Sequence, residues 1–277
     1  MALTSPRFVS SHALRNAATS SPPLAKGARG RAVHLVQMAL LDLGYSMPRS
    51  TRNPIYSPDG IFGDETVAAV KQFQKDSKKK DDGIVGKDTM TELDRRFSKY
   101  GHRVRLHFRS IELTVVPFDR ILRDAETVYG QYGIKIEFAN GESLALTPDQ
   151  ATIFDRIDQD CNWDIDDGEL DELHSLGSPA PATDVLVYYV KGFKKTTLLG
   201  CGGHAKSRPA LTVAARAARW DTGHELGHVL LTSAFSPVHL DDVRNLMHAT
   251  AESYADIPVL TDKQVAQMRT SICCRAV

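Results

Sequence analysis

His224-Glu225-Leu226-Gly227-His228 places two imidazoles four residues apart. At that spacing a helix turns both side chains to one face, where they can close on a single metal ion. Glu225 stands beside the first of them, within reach of a proton on water at such a metal. A catalytic zinc takes three protein ligands and keeps a fourth position open, so a third ligand must come from beyond the helix. His239 is the leading candidate, and Glu252, Asp242 and His248 are alternatives.

The run that follows is His239-Leu240-Asp241-Asp242-Val243-Arg244-Asn245-Leu246-Met247. Together with the HExxH segment it resembles the metzincin zinc peptidases, and among them the matrixin-like branch. The matrixin pattern H-S-x-D-P-x-A-L-M has the same length, with His, Asp, Leu and Met in register. The family's H-E-x-x-H-x-x-G-x-x-H is not met: Leu231 and Ala234 stand at its glycine and third histidine, and His239 lies eleven residues past His228. The resemblance implies zinc held by His224, His228 and His239, with Glu225 as general base. Met247 would be an apolar floor that does not coordinate. Metzincins often carry a tyrosine just after this methionine; Ala249 stands two residues beyond Met247, so no such role is given to Tyr254. Val229-Leu230-Leu231 extends the apolar pattern, and the helix is expected to run on to Ser236-Pro237, where proline stops it.

Such ligands need a frame. Alternating or apolar runs predict strands at Val104–Leu113, Ile134–Phe138 and Asp184–Val190 and an edge strand at Gly200–His204, with an amphipathic helix over Phe118–Tyr132 and Ala210–Ala214 leading into the active-site helix. That order is similar to the metzincin upper half-domain, which implies that Gly200–His204 is an edge strand able to pair with an extended substrate. His204 on that edge reads as a surface histidine in preference to a substrate contact. Asp158 to Glu172 is strongly acidic and reads as a solvated loop. Its alternative is calcium on Asp160, Asn162, Asp164 and Asp166, although the EF-hand-like Asp167-Gly168-Glu169 is out of register and His174 stands where a closing Glu belongs. Cys161, Cys201, Cys273 and Cys274 allow two disulfides in three pairings; one reading clamps the C-terminal pair onto Cys201.

Ahead of this lies an internal echo. Asp59-Gly60-Ile61-Phe62-Gly63-Asp64-Glu65-Thr66 returns as Asp82-Gly83-Ile84-Val85-Gly86-Lys87-Asp88-Thr89. Each copy is a tight turn that opens a helix. Apolar residues at helical spacing mark three helices, through Val33, Val36, Leu40 and Leu43, through Val67, Val70 and Phe73, and through Met90, Leu93 and Phe97. Leu24, Gly27, Gly30, Val33, Gln37, Ala69-Val70, Phe73-Gln74 and both Asp-Gly copies resemble the peptidoglycan-binding domain of bacterial cell-wall hydrolases. The resemblance implies a glycan groove in the neighbourhood of Asp59, Gly60, Phe62, Asp82 and Gly83; a spacer that no longer binds is the plainer alternative. The pro-domain of matrix metalloproteases shares this helical fold and inhibits through a cysteine, but no Cys occurs between Met1 and Asp160, which excludes that device here. The first thirty residues hold no Asp or Glu, are rich in Ser and Ala, and lack the apolar stretch of a signal peptide. Residues 1–22 are expected to be a flexible arm.

The chain of 277 residues suffices for two cores, and 42% hydrophobic with 25% charged residues is ordinary for a globular protein. Zero net charge gives no pull toward nucleic acid, and no apolar run nears the ~20 residues of a membrane span. The expected architecture is α+β: a three-helix peptidoglycan-binding domain at 23–98, then a zincin-type mixed sheet with its active-site helix at 102–277. The expected function is a zinc endopeptidase of peptidoglycan stem or cross-link peptides, acting outside the cytoplasm by a route without a standard signal peptide, with no membrane insertion, and an antibacterial effector is one destination of such a chain. The competing readings are a wall-anchored protease of ordinary proteins and a wall-binding protein without catalysis.

Overall fold

A computed structural model describes residues 2–52, 58–165, 167–205, 208–250 and 256–277. The chain falls into two compact units. One is Met1–Gly101 with Gly130–Gly133 and Val259–Val265; the other is His102–Tyr129, Ile134–Pro258 and Ala266–Val277.

The first unit contains α1 (His12–Ala17), α2 (Arg31–Asp42), α3 (Asp64–Asp76) and α4 (Lys87–Arg96). Val33, Val36, Leu40, Val70, Phe73, Met90 and Leu93 turn inward from α2, α3 and α4, as their spacing requires, and are fully buried. The two Asp-Gly copies share one hydrogen-bond design. The Gln37 amide accepts from Gly60 N at 2.9 Å and donates to Asp59 Oδ1, Ile61 O and Thr66 Oγ1. The Gln74 amide accepts from Gly83 N at 2.8 Å and donates to Asp82 Oδ1, Ile84 O and Thr89 Oγ1. Each buried glutamine thereby ties a helix to the next turn and to the helix that the turn starts. Gly60 and Gly83 have φ of 67° and 75°, a region that a side chain disfavours.

Residues 2–22 differ from the expected arm. Phe8 and Leu14 are fully buried in the same core as the helices. Asp94 accepts from the backbone N–H of Thr4 and of Ser5 at 3.0 and 2.8 Å, and the Arg7 guanidinium lies 4.1 Å from the centre of the Phe97 ring. The apolar residues of the segment are too sparse to show a period, and their partners stand some ninety residues away. The bundle therefore gains a fourth, short helix. Phe8→Ala should destabilise this unit by about 3–5 kcal/mol, the usual cost of emptying a buried phenylalanine site. Denaturant melts would read it, and a change below about 1 kcal/mol would restore the arm reading.

The second unit holds β1 (His102–Ser110), α5 (Phe118–Gly130), β2 (Ile134–Ser143), α6 (Pro148–Ile153), α7 (Gly168–His174), β3 (Val185–Val190), β4 (Gly200–Ala205), β5 (Arg208–Ala214), α8 (Asp221–Leu231), α9 (Asp262–Thr270) and β6 (Arg275–Ala276). α5 crosses a unit boundary by its last residue, Gly130, and α9 by its first four, Asp262 to Val265. The sheet order is β2-β1-β3-β5-β4. β4 alone on this path is antiparallel to its neighbour, and β6 pairs antiparallel with the start of β1. Every residue of β3 is buried, as its unbroken apolar run requires of a central strand covered on both faces.

The acidic stretch is not one open loop. Gly168–His174 is helical, and the His174 ring stacks on Tyr188 at 5.0 Å with Nε2 2.8 Å from Thr212 Oγ1. Burial holds its pKa down at about 3. Asp158 pairs with Lys194 and Asp160 with Lys195, while Asp166 lies outside the described residues. Cys201 is bonded to Cys161, which corrects the clamp onto the C-terminus; Cys273 and Cys274 remain buried thiols. Among the described residues no helix is long and apolar enough to cross a membrane.

Candidate metal centre

α8 is fastened before it presents anything. Leu226, Val229, Leu230 and Leu231 are fully buried. Tyr129 donates from its hydroxyl to the Gly223 carbonyl at 2.8 Å, and the Asp221 carboxylate accepts from Ala218 N at 2.7 Å. The helix stops at Leu231, earlier than the Ser236-Pro237 expected, because Thr232 takes a positive φ of 60° and turns the chain away. That early exit starts the excursion that returns His239.

The Nε2 atoms of His224, His228 and His239 then meet at 3.1, 3.1 and 3.3 Å from one another. His224 Nδ1 lies 2.7 Å from the Leu246 carbonyl. A carbonyl only accepts, so that nitrogen carries the proton and Nε2 offers a lone pair to the cluster. Three converging ring nitrogens repel unless a cation lies among them. Nitrogens at three corners of a tetrahedral zinc, each about 2.0–2.1 Å from it, would be about 3.3–3.4 Å apart. The observed set matches to about 0.2 Å, so the residues fit zinc. Burial and the neighbouring imidazoles lower all three histidines, to about 4 for His224 and about 2 for His228. Each is neutral near pH 7, the form that ligates.

Met247 lies beneath, fully buried. A Cβ on Gly227 would come within 2.3 Å of the Met247 sulfur, so only glycine fits at that place in HExxH. Leu240 N donates to the Met247 carbonyl at 3.0 Å, and Met247 N to Asn245 Oδ1 at 2.9 Å, which holds the His239 segment against the turn. The alternative ligands are placed otherwise. The Asp242 carboxylate engages Arg244 at 2.9 Å, His248 Nδ1 faces Thr250 O at 2.9 Å, and Glu252 and Tyr254 lie outside the described residues. Among the described residues the three histidines are the one group of three or more His, Cys, Asp or Glu whose ligand atoms gather within 4.8 Å.

Glu225 faces the same cavity, of about 490 Å³, whose lining includes Trp163, Gly200, Gly202 and the three histidines. Burial first, then the charge of Asp221, raise its pKa to about 8, against a lowering hydrogen bond from the Gly202 backbone. The glycines of β4 are a feature that strand patterning passes over. A Cβ on Gly200 would sit 2.5 Å from the Glu225 side chain, and one on Gly202 would sit 2.2 Å from the Glu225 carbonyl. The run Gly200-Cys201-Gly202-Gly203 is the signal that could have revealed this close approach. His204 is not the surface histidine expected: its ring is half-buried, with Nε2 3.2 Å from the Val229 carbonyl. Asp59, Gly60, Phe62, Asp82 and Gly83 belong to the other unit; Phe62 is fully buried, and the Asp and Gly residues build its turns.

Residues 29–93 match the family described as "Putative peptidoglycan binding domain". Over 66 residues the chain is 42% identical to a protein of Bacillus licheniformis named "Probable N-acetylmuramoyl-L-alanine amidase", covering 24% of this chain and 17% of that one. Over 82 residues it is 39% identical to an uncharacterised protein of Kitasatospora aureofaciens, covering 29% of this chain and 63% of the relative. The chain thus spans less than two thirds of the length of either curated relative. A crystal structure of metalloproteinase-II from Bacteroides fragilis is similar with a TM-score of 0.42 at 11% identity, over 61% of this chain and 53% of that one.

Two measurements test the centre. Purified protein should bind one zinc per chain by elemental analysis, and His228→Ala or His239→Ala should lower that occupancy severely; full occupancy in His239→Ala would remove it from the ligand set. The second test concerns the metal-free form. Glu225 has a folded pKa above its unfolded value, so its contribution to stability is present at low pH and is lost as pH rises through about 8. Metal-free Glu225→Gln should therefore lose less stability than wild type between about pH 5 and 9. Parallel melting curves would mean the carboxyl is not desolvated.

Proposed function

We propose that this chain is a zinc-dependent peptidase that docks on peptidoglycan through its first unit and hydrolyses amide bonds in stem or cross-link peptides through its second. One observation carries the reading: three imidazole nitrogens converge within 3.3 Å beside a buried carboxyl in one open cavity. The metzincin-like assignment belongs to the same proposal and rests on the His239–Met247 register together with the packing of Met247 against Gly227. The match of residues 29–93 supports the wall as the place of action, and with it a location outside the cytoplasm.

In this reading His224, His228 and His239 hold the ion, with His224 oriented through its Nδ1 proton on Leu246 O. Zinc when bound supplies Lewis acidity toward water and the scissile carbonyl. The Glu225 carboxyl, whose environment moves its pKa toward neutrality, takes a proton at a carboxylate oxygen and returns it to the leaving amine. Gly200 and Gly202 bring backbone up to that carboxyl and keep side chains out of the space above it. Asp221, one turn before Glu225, strengthens its hold on the proton.

The test is digestion of purified sacculi by the zinc-loaded full chain, with casein in parallel and mass spectrometry of the soluble fragments. Wild type should release peptides with new amine and carboxyl ends. Glu225→Gln should keep its zinc and sediment with sacculi, yet turn over about 10²–10⁴-fold more slowly, the usual worth of a general base. Comparable activity in Glu225→Gln would overturn the mechanism. Cleavage of casein alone would move the substrate to ordinary proteins.

A further inference from the structure

The segment just after Asp160 lies on the cleft in an unexpected way. Cys161, exposed, is bonded to Cys201, which is fully buried within β4. From that anchor the chain runs parallel along the outer edge of β4, in a bridge of Asp164 with His204. His204 N donates to Trp163 O at 2.9 Å, and Ile165 N donates to His204 O at 2.9 Å. The Trp163 ring stands edge-on to the His228 ring, centres 5.5 Å apart. Gly203 has no space for a side chain here, since a Cβ would lie 2.8 Å from Trp163 O and 3.0 Å from Asn162 O.

A strand edge is a template for another strand, and substrates use it through backbone hydrogen bonds. His204 turns both backbone groups outward, so by the two-residue alternation of a strand Gly202 and Gly200 do the same. The segment has taken the His204 position. Of the positions left, Gly200 and Gly202 line the cavity beside Glu225 and His228, and the Gly202 N–H already donates to the Glu225 carboxyl, which leaves the Gly202 carbonyl and the backbone of Gly200 to a substrate. A substrate strand laid on them meets the backbone of Trp163 one outward position further on.

We propose that Cys161–Ile165 is a disulfide-held strap that fills the outer edge of β4 in place of substrate, so that the site takes peptides which end or branch within about two residues of the reacting bond on that side. The length limit rests on the hydrolase reading above; the occupancy of the edge does not. Short branched peptides of the wall meet such a limit, and an extended protein chain does not.

The first test needs neither metal nor turnover. Hydrogen exchange in the metal-free full chain should show the His204 and Ile165 amides protected. Two variants should release them by independent routes: Cys161→Ser cuts the tether, and Gly203→Ala pushes the strap off while leaving the disulfide. At least tenfold faster exchange at both amides is expected in one variant or the other. Rapid exchange at His204 in the wild type would overturn the strap, as would unchanged protection in both variants.

The second test uses zinc-loaded protein and one cleavable stem-type peptide lengthened by up to six residues at either end. In wild type, extension at one end should lower kcat/KM at least tenfold, and the variants should relieve most of that loss. Equal tolerance of both extensions in wild type would overturn the length limit. If no peptide is cut at all, the hydrolase reading falls with the length limit, and exchange alone decides the strap.

Discussion

The contact on which the site depends is the hydrogen bond between His224 Nδ1 and the Leu246 carbonyl, 2.7 Å long. It joins the helix that carries two candidate ligands to the turn that carries Met247, and it sets which nitrogen of His224 faces the cluster. The backbone bond from Leu240 to Met247 extends the same tie to the residue after His239. All three imidazoles are thus indexed to one short segment, Asn245–Met247. Gly227 makes the arrangement possible by letting the methionine sulfur lie where a Cβ would be. The cost of three neutral, partly desolvated imidazoles with converging lone pairs falls on the packing around them, which is the sense in which this fold is prepared for a cation.

What could be read ahead of the structure was mostly local. His224 and His228 follow from helix periodicity alone, and β1, α5, β2 and β3 from alternation or apolar runs, with ends shifted by a few residues, whereas β5 between the edge strand and α8 was not singled out. His239 needed more, because eleven residues of irregular chain separate it from His228, and only its register with Leu246-Met247 singled it out. The features that escaped are those whose partners lie far off in sequence. Cys161 meets Cys201 across 40 residues, and Asp94 receives Thr4 and Ser5 across about 90. No window of sequence shows such a pair. Thr232 escaped for another reason: a positive φ at a β-branched residue runs against its own preference and comes from the surroundings.

The first unit shows what a repeated motif can record. Asp59, Gly60, Asp82 and Gly83 stand out because they recur, yet they recur because each copy must satisfy a buried glutamine amide. Gln37 and Gln74 are only 0% and 1% exposed, and each has its oxygen and nitrogen engaged by a turn and a threonine. Repetition here records a folding requirement. Where the echo places no such demand the two copies have diverged, as at Asp64 and Lys87, both exposed.

The cysteines bear on how the disulfide keeps its pairing. Three pairings are possible among four thiols, and two would tie the C-terminal tail to the cleft. In the folded state burial lifts Cys273 to about 12 and Cys274 to about 11. A thiol must ionise before it can attack a disulfide. Near pH 7 both tail sulfurs therefore stay protonated, and the bond between Cys161 and Cys201 has no ready nucleophile among the remaining cysteines. The fold thus guards the one pairing it contains against exchange from within.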